Sequence, residues 1–293
     1  MAQILGLDIG FGFTKATNGR DIQVFKSVVG DAADPTFSEA LLPGRSQIGR
    51  HLEIGGESFY VGELAEQQSR GRGFTLDPNQ FLAKFARTLA LSALAPIADP
   101  NQTLRVVSGL PVSFFRKHKD ALTALLQQRH VVILTKPDGS REEKALNIER
   151  VRVVPQPFGS LFNLMLNDLG KAASQRFVTE KIGVIDVGFR TADYTISDKT
   201  RYSERGSLSS DSGISLAFTA IASSLQQQSG VNVELFRLYE AVSKGTIKIK
   251  GKRYDITGIV KQAFQALATK IAGEANRLWS DDWDVDAIVI TGG

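Results

Sequence analysis

The chain has 293 residues, no cysteine, and 35 basic against 31 acidic residues for a net charge of +4. That excludes a disulfide framework, a thiolate metal site and a cysteine nucleophile, and the length suits two domains better than one. The charge excess is too mild and too dispersed to argue for nucleic acid. His51, His118 and His130 are too scattered for a zinc site. The longest apolar run, Leu89 to Ala98, is interrupted by Ser92 and Pro96, so no membrane span is expected. Met1-Ala2-Gln3 starts no secretory signal, and a cytoplasmic protein without membrane attachment is the expectation.

Strand-like and helix-like segments alternate, the pattern of an α/β protein. Ile4 to Ile9 reads as a buried strand, Gly10-Phe11-Gly12 as a turn and Phe13 to Thr17 as the return strand. Residues 22–62 read as short strands and loops. Asp77-Pro78 predicts a helix start, with Asp as N-cap and Pro in the first turn. Phe81, Phe85 and Leu89 then line one face until Pro96. Leu104 to Val107 reads as a strand, 114–129 as a helix, and Val131 to Leu134 and Ile148 to Val154 as strands. Pro155-Gln156-Pro157 marks a junction before a helix carrying Leu161, Leu164 and Met165. Ile182 to Asp186 and Thr191 to Ile196 read as paired strands. Helices over 213–229 and 233–243, a hairpin over 246–256, a long helix over 257–280 and a strand from Ala287 to Thr291 complete the chain. The expected domains are 1–157 and 158–293.

The informative feature is an internal echo. Asp8-Ile9-Gly10-Phe11 recurs as Asp186-Val187-Gly188-Phe189, 178 residues later (186 − 8). Each copy closes an aliphatic strand and precedes a Thr-bearing return strand. A Gly-rich turn exposes backbone N–H groups and admits a phosphate closely, and two such turns could clamp a polyphosphate. An Asp at each strand end fits that purpose with a hydrated Mg²⁺ between carboxylate and phosphate. Lys15 would reach the phosphates as a point charge. Either copy alone is ordinary turn chemistry; the duplication favours a nucleotide clamp.

Asp8-x-Gly10-x-Gly12-x-x-Lys15 resembles the first phosphate motif of the actin, heat-shock chaperone and sugar-kinase ATPase superfamily. Asp186-x-Gly188-x-x-Thr191-x-Asp193 resembles the second phosphate motif, and Ile288-Val289-Ile290-Thr291-Gly292-Gly293 the start of the adenosine motif. The intervening sequence is most similar to actin-like proteins of the ParM/StbA plasmid-segregation type, on Val106-Val107-Ser108-Gly109-Leu110-Pro111-Val112 and on 247–256. The resemblance implies a two-domain actin-like (ribonuclease-H-like) α/β fold with a nucleotide cleft between the domains. It also implies ATP and Mg²⁺ as ligands, ATP hydrolysis, self-association into filaments and a DNA-binding adaptor partner, with direct DNA contact disfavoured.

Residue by residue, the resemblance makes Gln156 the group that orients the attacking water. Asp8 and Asp186 would hold Mg²⁺ largely through water, Asp186 also lying near the nucleophile. Gly10, Phe11, Gly12, Gly188, Arg190 and Thr191 would present backbone N–H groups, and the Thr191 hydroxyl could add a bond. Asp193 would brace the second hairpin. Gly213, opening a helix after a Ser/Asp cluster, would lie near the nucleotide or merely cap the helix. Gly292 and Gly293 would pass beneath adenine or ribose.

Two departures stand out. Phe11 replaces a Ser or Thr found in several members, and the chain stops two glycines into the adenosine motif, so a closing helix is expected to be missing. Five cations between Lys244 and Arg253 read first as a solvated hairpin face, then as a filament contact, and last as a DNA contact. The rival readings are a small-molecule kinase, for which no extra carboxylate base is evident, and a nucleotide-dependent scaffold without turnover.

Overall fold

The structure is a computed structural model that describes residues 2–32, 50–136, 138–167, 170–171, 173–174 and 176–292. The chain divides into two compact units. Unit 1 comprises Met1–Leu110 and Phe114–Val154; unit 2 comprises Pro111–Ser113 and Pro155–Gly293.

Unit 1 is built on strands β1 (Gln3–Ile9), β2 (Phe13–Thr17), β3 (Ile22–Lys26), β4 (Val29–Asp31), β5 (Arg50–Ile54), β6 (Glu57–Val61), β7 (Arg72–Gly73), β8 (Leu104–Leu110), β9 (Arg129–Thr135) and β10 (Arg141–Pro155). They form one sheet in the order β3-β2-β1-β8-β10-β9-β5-β6-β4-β7. Its helices are α1 (Glu63–Gln68), α2 (Pro78–Gln80), α3 (Ala86–Leu94) and α4 (Val112–Leu126), whose first two residues belong to unit 2. Asp77 caps α2 by accepting from the Gln80 N–H at 2.8 Å. α3 is apolar nearly all round and is buried accordingly, against Leu5, Leu7 and Val106. Leu122 and Leu126, one turn apart, fix the buried face of α4. On the other face of the sheet, Ile4, Ile22, Val24 and Val107 are exposed.

The structure adds two features to the expected elements. The Phe81–Phe85 stretch is π-helical, joining α2 to α3, so its residues leave the strict spacing of an α-helix. The strand expected over 148–154 extends back to Arg141 because Arg141–Asn147 pair antiparallel with β9. That half is rich in Glu and Lys, and hairpin pairing overrides its weak β-propensity.

Unit 2 holds a four-stranded sheet, β13-β12-β11-β16, made of β11 (Lys181–Val187), β12 (Ala192–Asp198), β13 (Arg201–Ser210) and β16 (Ala287–Gly292). A separate hairpin pairs β14 (Thr246–Ile249) with β15 (Lys252–Asp255). The helices are α5 (Gln156–Met165), α6 (Arg176–Thr179), α7 (Ile214–Ser229), α8 (Leu238–Lys244) and α9 (Thr257–Leu278). The single helix expected over 233–243 begins as a short 3-10 turn, Leu235–Arg237, before α8.

β11 is covered on both faces. Ile182 and Val184 pack on Leu161 and Met165 of α5, while Ile185 packs with Tyr194 of β12 and with Ala275 and Trp279 at the end of α9. A Cβ at Gly183 would come within 2.9 Å of the Trp279 ring, so the indole occupies the space that glycine leaves. Trp279 Nε1–H donates to the Gly206 carbonyl at 2.9 Å, which satisfies the one polar atom of a buried ring.

The sequence echo is an architectural one. In unit 1, β1 pairs antiparallel with β2, β2 with β3, and β1 parallel with β8. In unit 2, β11, β12, β13 and β16 repeat the same order and the same directions.

Candidate functional site: two glycine turns

The two turns match bond for bond. Gly10 N–H donates to the Phe13 carbonyl at 3.1 Å, and Gly188 N–H donates to the Thr191 carbonyl at 2.9 Å. Asp8 stands opposite Lys15, and Asp186 opposite Asp193. These pairs share the offset of 178 with the sequence motif. Gly10 and Gly188 therefore use their own N–H groups to close the turns.

The direction of the amides that follow in the second turn is set by α7. Gly213 N–H donates to the Arg190 carbonyl at 3.1 Å, Ile214 N–H to Gly188 at 3.0 Å and Ser215 N–H to Phe189 at 2.7 Å. Peptide groups are planar and, in this chain, free of cis bonds. With the carbonyls of 188, 189 and 190 aimed at the helix, the N–H groups of Phe189, Arg190 and Thr191 are aimed away from it. Three successive amides on one side are the arrangement in which an anion-binding nest is built. The positive end of a 16-residue helix lies behind them and carries no acidic residue in its first turn. Gly213 is thus a close-approach residue, since a Cβ there would collide with the Phe189 and Arg190 backbone.

Ser27 plays the corresponding part in the first turn. Its Oγ donates to the Gly10 carbonyl at 2.6 Å and its N–H donates to the Gly12 carbonyl at 2.9 Å. The buried Thr14 hydroxyl holds Ser27 Oγ at 2.9 Å. By the same planarity, the amides of Phe11 and Phe13 point away from Ser27. Lys15 Nζ lies 4.0 Å from Asp8 Oδ2, a half-exposed pair of the kind worth at most about 1 kcal/mol.

The Phe in each motif is an anchor. Phe11 stacks on Phe81 with ring centroids 4.5 Å apart, and Phe189 packs on Phe218 at 5.6 Å and Tyr239 at 5.4 Å. A ring packed against other aromatic rings at this position, partly buried for Phe11 and buried for Phe189, pins the middle of the turn. The replacement of Ser or Thr by Phe11 thus costs a hydroxyl and supplies a fixed point.

The second turn has a deeper brace. Asp193 is buried and accepts from Val112 N–H at 2.8 Å, Thr191 Oγ1 at 3.0 Å and the Ser209 hydroxyl. The Thr191 hydroxyl is therefore held by Asp193. Burial pushes the Asp193 carboxyl above the usual range, and the three donors oppose that only in part. Behind it, Glu274 of α9 accepts from Tyr194 OH at 2.8 Å, Ser210 Oγ at 2.7 Å and Ser212 Oγ at 2.9 Å. Burial alone would raise the Glu274 pKa, but these donors and Lys270 hold it below the ordinary value. Arg190 pairs with Asp211 at 3.2 Å, directly before Ser212.

Gln156 is the first residue of α5. One turn later, Ser160 Oγ lies 3.1 Å from Thr291 Oγ1, and Thr291 is the cross-strand neighbour of Asp186. Residues four apart share a helix face, so Gln156 stands one turn beyond the level of Asp186 on the face that meets β11 and β16. Gly292 follows with φ +114, and a Cβ there would strike the Val187 backbone. A cavity of about 290 Å³ adjoins it, lined by Val187, Ile214, Phe264, Leu267, Ala268, Ile271, Thr291 and Gly292. Its apolar walls suit the face of a flat ring rather than a charged group. Gly293 lies outside the described residues.

Asp8 and Asp186 are half-buried carboxylates at equivalent strand ends. Hard oxygen donors of this kind fit Mg²⁺, which keeps several waters and binds through one or two carboxylates. Among the described residues, no three His, Asp or Glu side chains converge, as a dehydrated metal cage would require. No described helix is long and apolar enough to cross a membrane.

Sequence reasoning missed Ser27, Thr14, Ser209 and Glu274. Only the Ser/Asp run before Gly213 hinted at the polar network, and nothing in α9 marked Glu274 as its centre.

Two sheets that share one four-strand order, β3-β2-β1-β8 in unit 1 and β13-β12-β11-β16 in unit 2, each with an Asp-x-Gly turn at the end of the strand that opens its unit's motif, belong to the two-domain actin-like fold. Residues 6–159 match the family described as actin-like proteins, N-terminal domain, and residues 184–293 match the archaeal actin homologue MreB-like C-terminal domain. The chain belongs to the actin-like proteins. Solved structures agree. A non-polymerisable quadruple mutant of pCBH ParM is 25% identical, with 99% of this chain and 88% of that chain covered and a TM-score of 0.81. A 15-stranded ParM filament from Clostridium botulinum is 24% identical, with 100% and 89% covered and a TM-score of 0.85. The archaeal actin homologue Ta0583 in complex with ADP is 21% identical, with 100% and 87% covered and a TM-score of 0.78. No curated protein sequence matches the chain.

Proposed function

We propose that this chain is an ATPase that binds Mg-ATP through both glycine turns, hydrolyses it, and assembles into nucleotide-dependent filaments. The observation that carries the reading is the second turn, where α7 aligns three amides toward one side with its positive end behind them. Such a turn suits a phosphate. The ADP complex of one similar structure and the filament form of another support a nucleotide and an assembly of this kind.

In the proposed reaction, the water oxygen bonds to the γ-phosphorus, the bond from that phosphorus to the β–γ bridging oxygen breaks, and ADP, hydrogen phosphate and a proton released to solvent are left. Phosphoryl transfer of this kind needs chiefly positioning and charge stabilisation. Gln156 orients the water through its side-chain amide, and Asp186 accepts a hydrogen bond from it. Amides of the two turns and Lys15 bear the phosphate charge. Asp8 and Asp186 would hold Mg²⁺ through its water shell, and the ion when bound would supply further charge neutralisation. Movement of plasmid DNA through a DNA-binding adaptor, in the cytoplasm, completes the proposal and rests on the ParM resemblance.

Gln156→Ala and Asp186→Ala are expected to retain ATP binding and to lower turnover by about 100-fold, as misplacement of a reacting group does. Unchanged turnover in both variants would remove the catalytic assignment. For assembly, ATP-dependent pelleting is the measurement, and a protein that hydrolyses ATP yet never pellets over a wide concentration range would refute the filament.

A further inference from the structure

Two charged features stand at opposite ends of α9. At its N-terminal end, the β14–β15 hairpin leads into the helix through Ile256, with Thr257 N–H donating to Asp255. Lys248, Lys250, Lys252 and Arg253 are all exposed there. Lys248 is the direct cross-strand partner of Arg253, so two cations face each other on one side of a two-stranded sheet. Like charges so placed destabilise a hairpin.

At the C-terminal end, Trp279 begins two consecutive turns, closed by Asp282 N–H to the Trp279 carbonyl and Val285 N–H to the Asp282 carbonyl. They project Trp283, which is 88% exposed, the most exposed large hydrophobic side chain among the described residues. Asp281, Asp282, Asp284 and Asp286 flank it in the sequence. Lys181 and Arg205 pair with this loop, and four carboxylates against two cations leave a net charge of minus two.

Neither placement serves the helix. Cations near an N-terminus and carboxylates near a C-terminus both oppose the helix dipole. α9 has 22 residues and spans about 33 Å. Hairpin and loop therefore cannot meet within one molecule, although their charges are complementary. A largely exposed indole on an acidic loop is the kind of side chain that anchors a contact, with little reason to stay in water.

We infer that the Trp283 loop of one copy docks on the basic β14–β15 hairpin of a second copy, a head-to-tail contact repeated along α9. A heterologous contact whose two halves lie at opposite ends of a subunit adds copies head to tail, and it generates a filament unless its rotation closes into a ring. This inference rests on the filament reading above and names the surfaces that join its subunits.

The test uses one variant of each face. Variant A carries Lys248→Glu, Lys250→Glu and Lys252→Glu; variant B carries Trp283→Ala, Asp281→Lys and Asp284→Lys. Each alone is expected to bind nucleotide as wild type does, which serves as the folding control, and to need at least tenfold more protein to pellet. Variant A keeps the native loop and a mutant retaining the native hairpin is variant B, so their 1:1 mixture is expected to form a complex in sedimentation velocity that neither forms alone. The chain has two tryptophans, and Trp279 is buried, so a blue shift of wild-type emission on assembly reports Trp283 leaving water. Wild type that pellets while A and B pellet equally well overturns this contact and leaves the filament reading intact. An A–B complex with no wild-type pelleting supports the contact and overturns the filament. Absence of pelleting, complex and blue shift overturns both.

Discussion

Gly213 has ordinary extended backbone angles, so its requirement is space rather than conformation. Its missing Cβ lets α7 reach the turn carbonyls, and through them it sets where the Phe189, Arg190 and Thr191 amides point. Gly213→Ala is expected to cost about 1–3 kcal/mol in stability by overpacking. It should also weaken nucleotide binding in titrations of the folded protein, and a variant with wild-type melting and affinity would contradict this geometry. Behind the turn, the two carboxylates should respond oppositely to pH. Glu274 has a depressed folded pKa, so its stabilisation is present above the unfolded value near about 4.3 and disappears as pH falls through the folded value. Asp193 has a raised folded pKa, so its contribution is greatest below about 3.9 and is lost as pH rises through the folded value. In urea melts at pH 4 and pH 7, Glu274→Gln should fall further below wild type at the higher pH, whereas Asp193→Asn should gain on wild type. Parallel pH curves for both variants would remove the assignment.

At the scale of elements, the strands with apolar runs and the helices with a clear four-residue spacing were readable in advance. β11 is an aliphatic run, and the Asp77-Pro78 start of α2 follows from capping chemistry alone. β13 was not readable: Arg201–Ser210 is mostly polar, and it is a strand because β12 offers it hydrogen bonds. The π-helical Phe81–Phe85 segment was equally hidden, since one extra residue in a helical turn leaves no compositional mark. Trp279 ties three elements of unit 2 together, resting over Gly183 of β11 and bonding to Gly206 of β13 from the end of α9. Trp279→Ala is therefore expected to destabilise by about 3–5 kcal/mol, visible as a large fall in melting temperature. A loss under about 1 kcal/mol would show that the sheet does not depend on this contact.

For the whole molecule, charge complementarity between α9's two ends implies that assembly is sensitive to salt. Raising ionic strength from about 0.05 to 0.5 M shortens the Debye length severalfold and should raise the concentration needed for pelleting. Salt-independent pelleting would instead point to an apolar interface. The duplicated turn, the order of the three motifs and the two-domain expectation were all legible in the sequence, because backbone turns and aliphatic strands depend on a few adjacent residues. What tertiary structure decided was which groups stand behind those turns. Ser27 behind the first and the α7 amides behind the second are brought there by pairing and packing across long sequence separations. So is Glu274 beneath Ser212, and the distance that α9 imposes between a basic hairpin and an acidic tryptophan loop. Local chemistry determined that this chain carries two Asp-x-Gly turns of one design; only long-range packing decided where their amides point.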